Sequence, residues 1–404
     1  MHELPEDWMS VRLRDTGTWL SGGTPSTDEP RFWGGDLPWI SAASLKEFDI
    51  HDSDRRLTKS GSLAGTRLVP DGSVLFVVRG MSLKKEFRVG VTRKRVAFGQ
   101  DCKAIVPRPG IDARFLALAM KVRTREILSM VDEAGHGTGR LPTDLIAKLE
   151  VGIPPFPEQR QIVEVLDSVD ARFHLEGQTV AKLRALQEGV VEALLASLVA
   201  DTLPLGEHLA LPPKNGFSPQ EADEWTGLQA LGLGCLTPNG FQARQLKNVP
   251  VLDGRNSGAL LADGDLLMSR ANTRDLVGLA GVYRDVGTPC IYPDLMMRLV
   301  VGRGCRSEYL ELVLRSANVR RQIQAYSQGT SESMVKISGS SVRRLLVAIP
   351  HLVEQDRILA VVEATKNEIE SHLKEQHKLY LLKQGLMEDL LFGRVRTAAA
   401  EAVR

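Results

Sequence analysis

Two stretches of the chain place apolar residues at heptad-like spacing and contain no proline. The first covers residues 158–199, with Ile162, Leu166, Val169, Phe173, Val180, Leu183, Val190 and Leu194 forming the stripe and Glu176 and Gln187 interrupting it. The second covers 354–391, with Ile358, Val362, Thr365, Ile369, Leu379, Leu386 and Leu390 in the stripe and His372, Gln376 and Lys383 as breaks. A helix of about 40 residues is roughly 60 Å long at 1.5 Å rise per residue. No single globular core needs that length. Two such helices in one chain are predicted to pack on each other, antiparallel, with the polar breaks setting the register.

Each stripe follows a region of short β-type runs. In the first half these are LPWISA (37–42), SVLFVV (73–78), VGVT (89–92) and CKAIVP (102–107); in the second, DLLMS (265–269), VGLAGVY (277–283) and LMMRLVV (295–301). Turn signals at Asp71–Gly72, Asn239–Gly240 and Asp263–Gly264 separate them. One helix is expected after the last strand of each half, over 111–131 and 307–326. Pro154 and Pro350 end a strand, and Pro157 suits a first helical turn. Glu158 and Glu354 then stand at positive helix ends and are read as capping charges.

The two halves repeat each other. LEVGIPPFPEQRQI (149–162) lies on LLVAIPHLVEQDRI (345–358), so that Leu149 matches Leu345, Pro154 matches Pro350 and Glu158–Gln159 match Glu354–Gln355. LVPDGSVLF (68–76) lies on LLADGDLLM (260–268), and HGTG (136–139) on QGTS (328–331), in the same order and at nearly the same separation. A unit of half the chain is far too long for a solenoid, so the pattern predicts a tandem pair. The fold class expected is α/β, with two similar modules joined and spaced by two long helices packed as an antiparallel coiled coil.

Composition narrows the reading. With 404 residues, 43% hydrophobic and 25% charged, the chain is an ordinary globular one of two to three domains. Its net charge of +1 is low for a protein that meets nucleic acid alone, so any such role needs local charge or a partner. Cys102, Cys235, Cys290 and Cys305 have no zinc-site spacing and read as reduced thiols. No apolar run has membrane-spanning length, and the start lacks the regions of a signal peptide, which makes the cytoplasm the default compartment.

The residues most open to ligand chemistry are cationic. Segment 79–95 holds Arg79, Lys84, Lys85, Arg88, Arg93, Lys94 and Arg95 against the lone Glu86. Such a run offers phosphate contacts through lysine and base-edge contacts through arginine. The matching segment of the second half offers Arg270, Asn272, Arg274 and Arg284. The loops AGHGTGR (134–140), with His136 and Arg140, and SQGTSES (327–333) add hydroxyls and backbone donors. Catalytic signatures are missing: no nucleotide-binding GxxxxGK[ST], no HExxH, no GxSxG, and no DPPY or NPPY of a base methylase. The chain is therefore read as non-enzymatic and metal-free.

These pieces resemble the specificity (S) subunit of type I restriction–modification systems over essentially the whole chain. The marks are ELPEDWMSVRL (3–13), GGTPST (22–27) before GGDLPWISAASLK (34–46), GTRLVPDGSVLF (65–76), and IPPFPEQRQIVEVLDSVD (153–170), repeated as EQDRILAVVEATKNEIE (354–370). The resemblance implies a first target-recognition domain at 1–157, a spacer helix at 158–200, a second recognition domain at 201–353, a distal helix at 354–392 and a tail at 393–404. It implies that each recognition domain reads one half of a bipartite, asymmetric site in double-stranded DNA. It also implies two methyltransferase (M) subunits and restriction (R) subunits as partners, which would hold S-adenosylmethionine, ATP and Mg2+, with no cofactor in this chain. Two features depart from the pattern. The second half has no clean copy of GGDLPWIS, and Arg270 is offset from Arg79 by about one residue. A specificity-like subunit of another phage-defence assembly and a coiled-coil adaptor without a DNA role are the competing readings.

Overall fold

A computed structural model of the chain describes residues 4–134, 138–198, 200–251, 258–329 and 334–397. The chain forms two compact units, 1–177 with 374–404, and 178–373. The central helix Phe156–Ala196 and the distal helix Leu352–Leu391 therefore each contribute one part to either unit.

In the first unit a five-stranded sheet runs in the order Gly17–Ser21, Cys102–Pro107, Val74–Val77, Val89–Thr92, Asp49–Ile50. It is antiparallel except where Asp49–Ile50 lies parallel to Val89–Thr92. Val74–Val77 and Val89–Thr92 are buried along their whole length, which is why they read as unbroken apolar runs. Helix Ala113–Val122 covers the sheet with Phe115, Leu116 and Ala119. A second sheet, built around Trp33–Ile40, carries its own small cluster of Trp39, Leu57 and Ala97.

The second unit repeats the first sheet in reduced form: Lys214–Asn215, Met296–Leu299, Leu266–Ser269, Ala280–Val282. The register is the same. Val74 faces Ile105 and Val91, as Leu266 faces Leu299 and Val282. The strands expected from sequence all form. The helices expected over 111–131 and 307–326 do not run through: each breaks in two, at Arg123 and at Ser316. At both breaks a side chain bonds a carbonyl of the preceding helix end, Arg123 Nη1 donating to Ala119 O at 2.9 Å and Ser316 Oγ to Val313 O at 2.7 Å, which also accepts from Ser316 N at 3.1 Å.

The repeated helix start has a matching lock in each unit. Gln159, fully buried, donates to Gly110 O and Pro154 O and accepts from Asp112 N. Gln355, fully buried, donates to Gly304 O and Pro350 O and accepts from Arg306 N. Three backbone groups at the joint of sheet, helix and loop are thus satisfied by one amide, which accounts for the sequence match at this point.

The long helices pack antiparallel within each unit. In the first, Ile162 and Leu166 share a core with Leu390 and Leu391, Lys383 pairs with Asp170, and Gln376 Nε2 donates to Phe173 O at 3.4 Å. In the second, Leu194 packs in the cluster of Ile358, and Gln187 Nε2 donates to Val362 O at 3.0 Å and Thr365 Oγ1 at 2.8 Å. Ile162, Leu166, Val180, Ile358, Ile369, Leu379 and Leu390 are buried, and Val169, Phe173, Leu183, Val190, Leu194, Val362 and Leu386 are half-buried. The polar interruptions Gln187, Gln376 and Lys383 bond across the seam, so a slipped register would leave them unpaired.

Glu158 is more than a capping charge. It stands in the first turn of the central helix, 4% exposed, and accepts two hydrogen bonds from Arg396, at 2.7 and 2.8 Å, and one from Trp8 Nε1 at 3.3 Å. Arg396 also forks onto Asp7 at 2.9 and 2.7 Å. These two carboxylates push the guanidinium pKa up, chiefly by accepting its hydrogen bonds, Glu158 first and then Asp7. The described part of the C-terminal segment is therefore fastened to the N-terminal strand region.

Candidate nucleic-acid interface

Strand pairing decides which of the cations meet. Val89–Thr92 returns antiparallel to Val74–Val77, with Val74 opposite Val91 and Phe76 opposite Val89. Arg79 therefore lies at one end of the sheet and Arg93–Arg95 at the other, beside the Asp71–Gly72 turn. At about 3.3 Å per residue the ends are ~20 Å apart. The run 79–95 is two surfaces, not one. At the far end, Arg93 is bound to Asp49 at 2.6 Å, Lys94 lies 3.8 Å from Asp52, and Arg95 is exposed. Burial alone would raise the Asp49 carboxyl, but hydrogen bonds from Arg93 and then Arg114 hold it below the usual carboxylate range. That network ties the strand edge to Asp167 of the central helix through Arg114, at 2.7 Å.

At the near end, a three-stranded sheet forms from Arg79–Gly80, Thr138–Arg140 and Asp132–Ala134. Arg79 and Arg140 are direct cross-strand neighbours, both exposed and without an ion-pair partner among the described residues. Like charges directly opposite are unfavourable in an isolated sheet and favour an anion between them. The turn Met81–Lys84 packs beside this strand pair, presenting Lys84, bound to Glu133 at 3.0 Å, and Lys85. Arg88 is half-buried, bonding Glu86 at 2.9 Å and Ala42 O at 3.3 Å, so it holds the loop rather than facing out. His136 lies outside the described residues.

The second unit builds the same feature. Ala271–Asn272 pairs with Val335–Lys336, Ala271 opposite Lys336. Backbone bonds fix the equivalence: Leu141 N donates to Val78 O where Ile337 N donates to Arg270 O. Arg270 thus occupies the position of Val78, one residue before that of Arg79. Lys336, exposed, occupies that of Arg140. The sequence reading missed Lys336, although the repeat offset that matches Leu149 to Leu345 would have found it. Arg320 supports the intervening loop, donating to Val277 O at 2.7 Å and Asp275 O at 2.9 Å, and Arg274 belongs to that loop. Arg284 is not part of this patch. It follows Ala280–Val282 at the opposite end of the hairpin and binds Glu308 at 2.8 Å and Asp263 at 3.5 Å. Residues 330–333 of the second Gly-containing loop lie outside the described residues.

Among the described residues the arrangement offers cations and amides on a duplicated strand pair and no acid–base or nucleophilic constellation. Cys102 and Cys305 are buried, with their thiols pushed up to about 12 by desolvation. Among the described residues no group of three or more His, Cys, Asp or Glu side chains is placed to hold a metal ion, and no helix is long and apolar enough to cross a membrane.

Residues 5–185 match the family model described as the type I restriction modification DNA specificity domain. The type I restriction enzyme EcoR124I/EcoR124II specificity subunit of Escherichia coli is 29% identical over 39% of this chain, a match that takes in only 40% of the relative's length. The EcoKI specificity subunit of Escherichia coli strain K12 is 24% identical over 89% of this chain and 82% of its own. A solved chain from a study of complex assembly and conformational transition of the type I R-M system shares the fold, with a TM-score of 0.65, 16% identity and coverage of 98% of this chain and 100% of that one. The duplicated frame, the specificity-domain match over residues 5–185 and relatives that span both halves make this chain similar to the specificity subunits of type I restriction–modification systems.

Proposed function

We propose that this chain recognises a bipartite, asymmetric sequence in double-stranded DNA, one half per recognition module. It would direct M subunits that methylate adenine and R subunits that translocate and cleave. The observation that carries the reading is the duplicated strand pair, whose common backbone frame presents Arg79 opposite Arg140 in one unit and Ala271, followed by Asn272, opposite Lys336 in the other. Arginine forks onto guanine O6 and N7, asparagine pairs with adenine N6 and N7, and lysine binds phosphate or guanine. A common frame with different side chains is what two distinct half-site specificities require. The module boundaries proposed are those of the resemblance, 1–157 and 201–353, with the helices at 158–200 and 354–392 as spacers.

The same reading assigns no reaction to this chain. S-adenosylmethionine, ATP and Mg2+ would reside on the partners, and the assembly would work in the cytoplasm, where the DNA is. Apolar side chains on the outer faces of the helices, including Leu175, Leu186 and Leu382, are half or more exposed and call for a protein cover. The near-neutral net charge of the chain also fits an assembly in which partners supply part of the phosphate contacts.

Co-purification with an M-type subunit, followed by methylation mapping with S-adenosylmethionine, tests the proposal. Methylation confined to one split motif, and lost when this chain is omitted, is the expected result. A complex that forms but modifies DNA without any motif would overturn it.

A further inference from the structure

The duplicated frame is filled differently at the two helix starts. In the first unit, residues 4–8 and 392–397 together close the space around Glu158. Arg396 and Trp8 bond its carboxylate, Thr397 Oγ1 donates to Gln161 at 2.7 Å, and Gly152 lies so close to Leu4 and Trp8 that a Cβ there would meet them at 2.7 and 2.8 Å. In the second unit, Ser197, Leu198, Ala200 and Asp201 are the described residues between the central helix and the strand Thr202–Pro204. The strand registers put Ala200 where the first unit has Trp8, and Ala348 where it has Gly152.

What is left is an open groove of about 1310 Å³, walled by Ser197, Asp201, Pro350 and Glu354. Its polar groups lack the partners their counterparts have. Glu354 is 38% exposed and among the described residues pairs only with Arg357, at 3.7 Å, whereas Glu158 is buried under Arg396. His208 lines the groove with Nε2 buried and without a hydrogen-bond partner among the described residues. Its counterpart Thr16, fixed by the bonds Arg108 N to Thr16 O and Gly302 N to His208 O, satisfies its own hydroxyl on Leu13 O. A buried polar atom left unpaired marks a place where a partner group is missing.

We propose that this groove is a docking site for a peptide segment of a partner polypeptide that presents an arginine beside an aromatic side chain, the pair the first unit supplies to itself. Glu354 takes the guanidinium, helped by Asp201. The space over Ala200 and Ala348 takes the ring. Charge complementarity and the seated equivalent in the first unit select this occupant over a second copy of the chain, whose own aromatic–arginine pair is already engaged.

The test uses the full chain and a fluorescently labelled synthetic peptide with the sequence of residues 392–397, Phe-Gly-Arg-Val-Arg-Thr, read by anisotropy. Saturable binding is expected. It should weaken about tenfold or more when the second arginine of the peptide is alanine, and equally with Glu354→Gln, since a charge-assisted pair is lost. Ala200→Trp, which supplies the ring that Trp8 supplies in the first unit, should tighten binding of the peptide while leaving the thermal melt unchanged or raised. No saturable binding to the unaltered chain overturns the proposal, as does binding indifferent to Glu354→Gln. Dimers in sedimentation that dissolve with Glu354→Gln would assign the groove to a second copy instead, against the proposal.

Discussion

The most exposed quantity in this account is the value of the Arg396–Glu158 contact. Arg396→Ala removes two charge-assisted hydrogen bonds from a carboxylate that is 4% exposed and leaves it with the Trp8 indole N–H and the helix end. Breaking a buried pair from one side costs about 3–5 kcal/mol, because the stranded charge keeps its desolvation penalty. The lower end applies here. Arg396 is one-fifth exposed, and its second partner, Asp7, is half exposed and adds little. About 3 kcal/mol corresponds to a fall in Tm of roughly 6–12 °C for a unit of some 200 residues. Urea and thermal unfolding of the unaltered chain, Arg396→Ala, Glu158→Gln and the double variant would measure it, with a coupling of about 2 kcal/mol expected in the cycle. Glu354→Gln at the matching position should cost under about 0.5 kcal/mol, as a surface charge does. An Arg396→Ala variant within about 0.5 kcal/mol of the parent, or equal losses at Glu158 and Glu354, would refute the assignment.

Other consequences follow from the same contacts. Gln159→Ala and Gln355→Ala each strand three backbone groups, and each should destabilise by about 3 kcal/mol or more in urea unfolding. Iodoacetamide should label none of the four cysteines of the native chain at pH 8, since all are buried; labelling before unfolding would contradict the packing. Asp49 has a folded pKa below its unfolded value, so its contribution is present above about pH 4 and lost as pH falls through the folded pKa. Stability of Asp49→Asn should therefore fall less steeply on acidification than that of the parent, in parallel unfolding curves from pH 6 down to pH 2.

Much of the frame was legible because it is written twice. Gln159 and Gln355 perform the same three-bond task, and Ile162 and Ile358 the same packing, so the strings around them match. The heptad-like stripes were legible for a similar reason, since burial at a seam imposes a period. The helix breaks were not: Arg123 and Ser316 are unremarkable in sequence, and only the carbonyls they bond make them ends. Nor was the division of the basic run, because charge density along a chain ignores chain reversal. The buried strand Val89–Thr92 carries Arg93–Arg95 to the far end of the sheet from Arg79. Glu158 read as a helix-end charge because its partner, Arg396, lies more than two hundred residues away in sequence. Lys336 became visible only when backbone bonds aligned it with Arg140.

The most direct test of two modules reading two half-sites is methylation mapping of the reconstituted complex with paired variants. Arg79→Ala with Arg140→Ala should relax the motif in one half only, and Asn272→Ala with Lys336→Ala in the other, each by about tenfold or more in relative rate, as loss of 1–3 kcal/mol per base contact implies. A variant pair that alters both halves together, or leaves both unchanged, would contradict the account.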